Sequence, residues 1–222
     1  MKRLLFVIST LIFSLSNVGE LKAQKYSFGV FVDPQLSWFN SDTKRFDPNG
    51  PVTGFNIGFS GEKFFASRYS LASGISINNL GGKIRVLQDG LTLKTRDGDY
   101  AIDSNSTVTY KAQYFSIPLG FKFRTNQIGY STFFAQVGLQ GNIRLKSYAW
   151  YNPADVSKET CTQPFMWGFA SYFLGIGMEY SLGGESAVQV GLSYTDGLTK
   201  MLDLPNAVIT SQSLTLRVGI TF

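Results

Sequence analysis

The last twelve residues of the chain, Ser211 to Phe222, read SQSLTLRVGITF. Apolar side chains alternate strictly with polar or small ones, which is typical of a β-strand whose two faces meet different surroundings. One face carries Leu214, Leu216, Val218, Ile220 and Phe222, and the other carries Thr215, Arg217, Gly219 and Thr221. Because the terminal residues of a soluble domain usually fray, an apolar residue at the last position needs an explanation from the rest of the chain.

Seven further segments show the same alternation with a period of two residues, and no segment shows sustained helical periodicity. These segments are Tyr26–Phe39, Pro51–Gly61, Arg68–Arg85, Thr107–Phe123, Tyr130–Tyr148, Met166–Tyr180 and Ser186–Thr195. In each of them one face is apolar and aromatic, whereas the other is mostly Gly, Ser, Asn and Gln with an occasional charge. Together with the C-terminal segment, the sequence predicts eight strands.

The connections between these strands alternate in length. The short ones are Glu62–Ser67, Arg124–Gly129 and Ser181–Glu185, and the long ones are Asn40–Gly50, Val86–Ser106, Ala149–Phe165 and Asp196–Thr210. Bacterial outer-membrane barrels combine short periplasmic turns with long outward-facing loops and an even number of strands. The sequence therefore predicts an all-β fold, an eight-stranded antiparallel transmembrane up-and-down β-barrel, in the bacterial outer membrane with both termini in the periplasm.

The two faces of each strand fit this prediction. The large apolar face suits lipid, and the small polar face suits the cramped interior of an eight-stranded barrel. In the fourth segment the alternation falters near Lys111–Gln113, which predicts a bulge or the point where the strand leaves the membrane. A final strand that ends in an aromatic residue resembles the signal that barrel insertion machinery reads. Phe222 is therefore predicted to be an insertion signal, held against the first strand.

The N-terminal residues have the features of an export signal. Lys2 and Arg3 precede a short apolar core, Leu4–Leu15, and the small residue Ala23 stands before Gln24. This order of basic region, apolar core and small residue is typical of a secretory signal peptide. We expect residues 1–23 to be a cleaved signal peptide and residues 24–222 to be the outer-membrane β-barrel domain.

The composition argues against several functional classes. The 222-residue chain has no histidine, one cysteine and a net charge of +5 without a basic run. No internal disulfide can form, and nothing indicates nucleic-acid binding. Without histidine, the commonest general base is missing, and no spacing marks a Ser-Lys or carboxylate pair as catalytic. We expect a non-enzymatic protein with no cofactor, no metal and no catalytic residue, in which Cys161 is a free surface thiol.

Five charged residues are predicted to face the interior of the barrel. They are Asp33, Lys122, Arg144, Glu179 and Arg217. Because an isolated charge is very costly to bury, these groups must be paired or hydrogen-bonded. A salt-bridged polar plug that fixes strand register is the favoured interpretation. A proton path or a small-solute pore is the alternative.

Two of the long loops carry candidate binding residues. Asp97–Asp99 and Asp103–Asn105 cluster carboxylates that could hold calcium, but they lack the spacing of a twelve-residue calcium loop, and a solvated acidic loop is favoured. Trp150 and Tyr151 extend into the third long loop. They could stack on glycan or contact a protein partner, although a place in the interfacial aromatic girdle is favoured.

One segment carries a family resemblance. Tyr114–Phe123 reads YFSIPLGFKF, and the turn TNQIG, Thr125–Gly129, follows it. An aromatic residue, then IPL, then an alternating strand with a lysine resembles the small PorT-like outer-membrane barrels of Bacteroidota. The resemblance implies an eight-stranded outer-membrane barrel. The family takes its name from a component of type IX secretion, although most members have no assigned role.

These observations lead to one functional expectation with two alternatives. The chain is expected to be a structural or accessory subunit of an envelope complex, with type IX protein secretion suggested by family analogy alone. Expected partners are outer-membrane lipid, the barrel insertion machinery through the C-terminal strand, and other envelope or secretion proteins. The first alternative is a surface binding or adhesion protein that uses its long loops. The second is a small pore, which the crowded interior argues against.

Overall fold

The computed structural model describes residues 26–87, 91–161 and 163–222. The predicted signal peptide, residues 1–23, lies outside the described residues. The elements in chain order are β1 (Tyr26–Ser41), β2 (Phe46–Pro48), β3 (Val52–Ala66), β4 (Tyr69–Val86), β5 (Leu91–Lys94), β6 (Asp99–Ile102), β7 (Ser106–Arg124), β8 (Ser131–Tyr151), a 3₁₀ helix (Asn152–Ala154), β9 (Val156–Thr160), β10 (Gly168–Gly183), β11 (Ser186–Gly197), β12 (Leu202–Leu204) and β13 (Ala207–Thr221). Within the described part, no helix is long and apolar enough to cross a membrane.

Eight long antiparallel strands close into a barrel, as predicted. Their order around the barrel is β1, β3, β4, β7, β8, β10, β11 and β13, and β13 pairs again with β1. At this closing seam Leu36 lies opposite Leu214. Phe28 and Phe222 exchange two backbone hydrogen bonds of 2.8 Å, so the last residue of the chain is held against the first strand. The sheet therefore has no free edge among the long strands.

The two ends of the barrel differ as the alternating connections predict. At the end called here the turn end, short connections join β3 to β4, β7 to β8 and β10 to β11. At the opposite end, called here the loop end, the long connections contain β2, the β5–β6 hairpin, the 3₁₀ helix, β9 and β12. The strands reach further toward the turn end than expected. β3 continues through Ala66 and β7 through Arg124, so Glu62 and Arg124 belong to strands and not to turns.

The outer wall of the barrel is apolar and the interior is polar. Phe59, Leu139 and Ile176 are 60–65% exposed on the outer face. Soluble monomers rarely expose an apolar surface of this extent, whereas a membrane barrel presents it to lipid. Near the turn end the wall carries packed aromatic rings, such as Phe65 and Tyr69 with centroids 6.3 Å apart. The predicted assignment of the two faces is therefore confirmed.

The narrow interior requires glycine at specific positions. A Cβ atom at Gly58 would lie 2.2 Å from the backbone oxygen of Ile75 on the neighbouring strand. A Cβ at Gly138 would lie 2.4 Å from the backbone oxygen of Leu119. No side chain fits at either place without moving backbone. The glycine-rich inward faces thus allow neighbouring strands to approach closely in a small barrel.

The β-bulge near Lys111–Gln113 lies in the partner strand β8 and not in β7. Gln113 of β7 is opposite Lys146 of β8, and the next residue, Tyr114, is opposite Arg144, so the extra residue is Leu145. The inward alternation of β7 continues without a break through Lys111–Gln113. Of the two alternatives expected for Lys111–Gln113, the bulge is therefore not in β7 itself, and the exit of β7 from the membrane near these residues stays a prediction. The irregularity occurs at the same level of the barrel but in its partner strand β8.

Candidate functional site

The interior at the middle of the barrel is a small polar chamber. Its cavity has a volume of about 60 Å³ and is lined by inward residues from all eight long strands, including Gln35, Asn78 and Gln189. At 10–15 Å³ for each water, it has room for roughly four to six water molecules. The side-chain oxygen of Asn56, which also lines this chamber, is buried without a protein hydrogen-bond partner. The chamber suits water and small polar groups.

A network of four charges closes the turn end of this chamber. Lys122 and Arg124 stand two residues apart on β7 and therefore point to the same side of the strand. The Lys122 Nζ atom donates to Glu62 Oε1 at 2.8 Å and to Glu179 Oε1 at 2.6 Å. Arg124 donates to Glu62 Oε2 at 2.6 Å and, through Nε, to Glu179 Oε2 at 2.8 Å. Two cations and two carboxylates thus cross-link β3, β7 and β10 with no net charge.

Neighbouring groups fix this network in place. The Ser70 hydroxyl donates to Glu62 Oε2 at 2.9 Å and accepts from Arg124 at 3.0 Å. The Lys122 ammonium lies 4.3 Å from the centre of the Phe134 ring, which is favourable for a desolvated cation. Lys122 is 1% exposed and Glu62 is 6% exposed. Because every charge in it is paired and hydrogen-bonded, the network has the form of the salt-bridged plug that was predicted.

A second ion pair lies at the closing seam. Arg217 of β13 donates through Nε to Asp33 Oδ2 of β1 at 2.8 Å. The backbone N–H of Val218 donates to Asp33 Oδ1 at 3.1 Å. The Arg217 guanidinium also lies 4.3 Å from the centre of the Phe31 ring. This pair joins the first and last strands inside the barrel, where a one-residue slip would separate the charges.

The five charges predicted to form one interior network separate into three places. Lys122 and Glu179 belong to the network at the turn end, and Asp33 and Arg217 form the seam pair. Arg144 joins neither of them. It lies nearer the loop end, where its Nη1 atom donates to the backbone oxygen of Phe165 at 2.6 Å. The single-network expectation is corrected because β7 and β8 place Arg144 far along the strand from Lys122.

Sequence reasoning missed two members of the turn-end network, Glu62 and Arg124. Both fall at the boundaries of predicted turns, where the apolar alternation fades. Glu62 continues the small inward face of β3 after Gly58 and Ser60, and Arg124 continues the inward face of β7 after Lys122. Extending the period of two by one step would have found each residue.

The loop end of the barrel is closed by a buried apolar cluster, called here the cap. Inward faces that are polar at mid-barrel become apolar toward this end, and the loop elements pack onto them. The cap comprises Phe39, Phe46, Leu80, Ile84, Val86, Leu93, Ile102, Val108, Tyr110, Ala112, Tyr114, Ala149, Tyr151, Val156, Cys161, Phe165, Phe169, Met201, Leu202, Ala207 and Ile209. Edge-to-face ring pairs, Tyr114 with Phe169 at 5.1 Å and Tyr110 with Phe165 at 5.8 Å, contribute to its packing. The mouth at the loop end is therefore filled by side chains.

Two predicted surface residues lie inside the cap. Tyr151 is 1% exposed, and its hydroxyl accepts a hydrogen bond from the backbone N–H of Asp103 at 3.0 Å. Both expectations for Tyr151, the interfacial girdle and the loop contact, are wrong, because its ring packs in the cap. Cys161 is fully buried, so it is not a surface thiol. Burial raises the pKa of this thiol to about 12. Trp150 remains partly exposed on the outer side of β8.

The acidic residues of the second long loop serve its local structure. Asp99 lies in β6 opposite Lys94 of β5, and the Asp103 carboxylate accepts from the Tyr151 hydroxyl at 3.3 Å. In residues 26–87, 91–161 and 163–222, no group of three or more Asp, Glu, Cys or His side chains is arranged to hold a metal ion.

Comparison with solved structures finds small bacterial outer-membrane proteins. The chain is similar to Neisserial surface protein A with a TM-score of 0.48 and 12% identity, over 89% of this chain and 98% of that chain. It is also similar to OprG from Pseudomonas aeruginosa with a TM-score of 0.46 and 10% identity, over 90% and 97% of the two chains. It is also similar to Ail of Yersinia pestis, solved in complex with the heparin analogue sucrose octasulfate. The TM-score is 0.43 and the identity 14%, over 89% of this chain and 99% of that chain.

A comparison with family models identifies the chain more directly. No curated protein sequence matches it. The model described as the outer membrane protein beta-barrel domain, however, matches residues 19–203, which is most of the chain. With a closed barrel and a lipid-facing outer wall, this match indicates a location in the bacterial outer membrane. The chain belongs to the family of outer membrane protein beta-barrel domains.

Proposed function

We propose that this protein is a non-enzymatic, non-conducting outer-membrane anchor that presents its folded cap to other proteins of the cell envelope. In this role it is a structural or accessory subunit of an envelope complex. The observation that carries the proposal is the cap itself. The long connections pack around a common apolar cluster and form a compact platform, which is what docking requires and what a channel would not contain.

The orientation in the membrane is part of the proposal. We place both termini and the short turns in the periplasm and the cap outside the cell. The support is the consistent difference in connection length, since outer-membrane barrels keep short turns on the periplasmic side and long loops outside. An epitope inserted between Asp97 and Gly98, in the turn of the β5–β6 hairpin, should be recognised by antibody on intact cells. Recognition only after the outer membrane is permeabilised would reverse this orientation.

The finer assignment rests on sequence resemblance alone. The Tyr114–Phe123 segment supports a PorT-like protein of Bacteroidota, and with it an accessory role in type IX protein secretion. The family model and the solved structures add no support for secretion. An accessory role is therefore proposed without a named complex, and the cleaved signal peptide and the use of the barrel insertion machinery remain expectations from the sequence.

A small pore is the weaker alternative because both ends of the chamber are blocked. The turn end carries the four-charge network and the loop end carries the cap. Purified protein in planar bilayers should give no conductance steps in 1 M salt. Stable steps from the unmodified protein would contradict the anchor proposal and favour the pore.

The docking role is tested by purification from native outer membranes in mild detergent. Replacing residues 91–102 by a short Gly-Ser linker removes the hairpin that contributes Leu93 and Ile102 to the cap. Replacing residues 125–130 by a similar linker alters the turn end as a matched control. Partners present in near-equal amounts with the unmodified protein should be lost only with the first variant. A protein that purifies alone, while keeping the gel mobility of a folded barrel, would refute the docking role and favour ligand binding by the surface loops.

A further inference from the structure

A lysine-rich concavity lies on the outer wall of the barrel near the loop end. It has a volume of about 340 Å³, and its charged and aromatic lining consists of Lys111, Lys146, Lys158, Tyr148 and Trp150. These residues come from β7, β8 and β9, and none of them takes part in the interior plug. We call this feature the lysine pocket.

The lysine pocket begins where the lipid-facing band ends. On β8, Lys146 directly follows the outward residue Leu145, which is 49% exposed. On β7 the last apolar outward residue is Phe115, and Lys111 lies four residues further along. Four residues span about 13 Å along a strand, and less along the membrane normal because barrel strands are tilted. The pocket therefore lies at the level of lipid headgroups and not of acyl chains.

Two of the three ammonium groups have an aromatic neighbour, and none of the three has an acidic partner in the pocket. Lys111 Nζ lies 5.8 Å from the centre of the Trp150 ring, and Lys158 Nζ lies 5.6 Å from the centre of the Tyr148 ring. No Asp or Glu lines the pocket, and in the described part of the chain none of the three lysines forms a salt bridge. Three cations held together without a counter-charge repel one another, and a bound anion would relieve this repulsion.

The backbone at Lys158 adds an independent observation. This residue has a φ angle of +57°, a left-handed conformation that is unfavourable for a residue with a side chain. It lies in a bulge of β9, since Ala149 is opposite Glu159 whereas Tyr151 is opposite Val156. A glycine would relieve the strain at this position. A lysine there instead brings a third ammonium group to the pocket.

We propose that the lysine pocket binds the phosphate group of a phosphorylated lipid in the outer leaflet. Ammonium groups pair with phosphate through charge-assisted hydrogen bonds, and the aromatic rings can pack against a sugar or glycerol headgroup. A lipid fits better than a soluble anion because Lys146 directly follows Leu145 of the apolar wall, where the acyl chains of the same molecule would lie. The assignment to the outer leaflet rests on the orientation given under the proposed function. The binding of phosphate by the three lysines does not depend on that orientation.

The test compares two triple variants in native mass spectrometry of the detergent-solubilised barrel. In the first, Lys111, Lys146 and Lys158 are replaced by glutamine. In the second, the matched control, the exposed lysines Lys44, Lys63 and Lys94 are replaced in the same way. The probe is lipid A with two phosphates, compared with the same lipid after removal of both phosphates. Gel mobility before and after boiling checks that each variant forms the barrel.

The proposal predicts that the first variant binds diphosphorylated lipid A at least tenfold more weakly than the unmodified protein, while the control variant binds it normally. Lipid A without phosphates should bind equally weakly to all three proteins. Equal binding by the two triple variants would overturn the proposal. Displacement of the lipid by 10 mM inorganic phosphate would also overturn it, because the pocket would then be a site for free anions. These measurements use isolated protein and do not depend on its orientation in the membrane. A negative lipid-binding result therefore leaves the orientation proposal standing, and antibody labelling that reverses the orientation leaves the lipid-binding result standing.

Discussion

Replacing Lys122 by methionine should lower the free energy of unfolding by about 3–5 kcal/mol, the cost of breaking a buried ion pair. The Lys122 ammonium is 2.8 Å from one carboxylate and 2.6 Å from another, and the residue is 1% exposed. Methionine nearly preserves the volume but leaves Glu62 and Glu179 with Arg124 as their only cation in the network. One negative charge is then buried without compensation.

The magnitude follows from two opposing contributions. At an effective dielectric constant of about 20, unit charges 4 Å apart attract by about 4 kcal/mol, and Lys122 makes two such contacts. Part of this is offset because the variant no longer has to desolvate an ammonium group. The second substitution in Lys122→Met/Glu62→Gln removes the excess negative charge. It should recover roughly 1 kcal/mol or more relative to the single variant.

Urea unfolding in detergent micelles, followed by tryptophan fluorescence, measures these differences. Lys63→Met is the matched control, because Lys63 adjoins Glu62 on β3 but is exposed, and we expect a change within about 0.5 kcal/mol. The reasoning fails if Lys122→Met unfolds at the same urea concentration as the unmodified protein. It also fails if Glu62→Gln adds its own cost to that of Lys122→Met, since the two residues would then not be coupled.

Three further predictions follow from single positions. Gly58→Ala should prevent formation of the heat-modifiable folded band on gels, because the new Cβ atom would lie 2.2 Å from a backbone oxygen. Gly141→Ala is the control and should fold normally, because no atom lies within 4 Å of its Cβ position. Equal folding of the two variants would contradict the interior packing. Burial raises the pKa of the Cys161 thiol to about 12. The buried neutral thiol therefore contributes fully to stability at pH values below the ordinary thiol pKa of about 8.5. This contribution is lost as the pH rises from about 8.5 toward 12. Cys161→Ala should therefore flatten the fall in urea midpoint over that range, and an unchanged slope would argue that the thiol is accessible. Phe222→Ala should reduce insertion into the outer membrane of cells severalfold. The purified variant should still refold in detergent, because its backbone hydrogen bonds to Phe28 persist. Normal levels of the variant in the outer membrane would show that Phe222 is not an insertion signal.

Alternation in the sequence was sufficient to predict the barrel. Lipid on one side and a narrow interior on the other impose opposite requirements on successive residues. Apolar and polar residues therefore alternate with a period of two in every long strand. The alternation of short and long connections identified the two ends. The C-terminal segment placed Phe222 at the closing seam, where it pairs with Phe28.

The partners of the interior charges were decided by tertiary structure. Sequence reasoning selected Lys122 and Glu179 as interior charges, but it could not pair them with Glu62 and Arg124. Pairing depends on strand register, which neighbouring strands fix jointly, and on how far each strand extends beyond its apolar segment. For the same reason Arg144 separates from the other four charges.

The cap was also decided by tertiary structure. From the sequence alone, Tyr151 is expected to be a surface or girdle residue, and Cys161 is expected to be a surface thiol. Their burial arises because loop elements distant in sequence fold over the inward faces of the barrel strands, and this cooperative burial of apolar surface leaves no periodic signal in the loops. The sequence by itself determined the eight strands, because lipid and a narrow interior act on each strand separately. The plug and the cap depended on the tertiary structure, because each exists only where several strands meet.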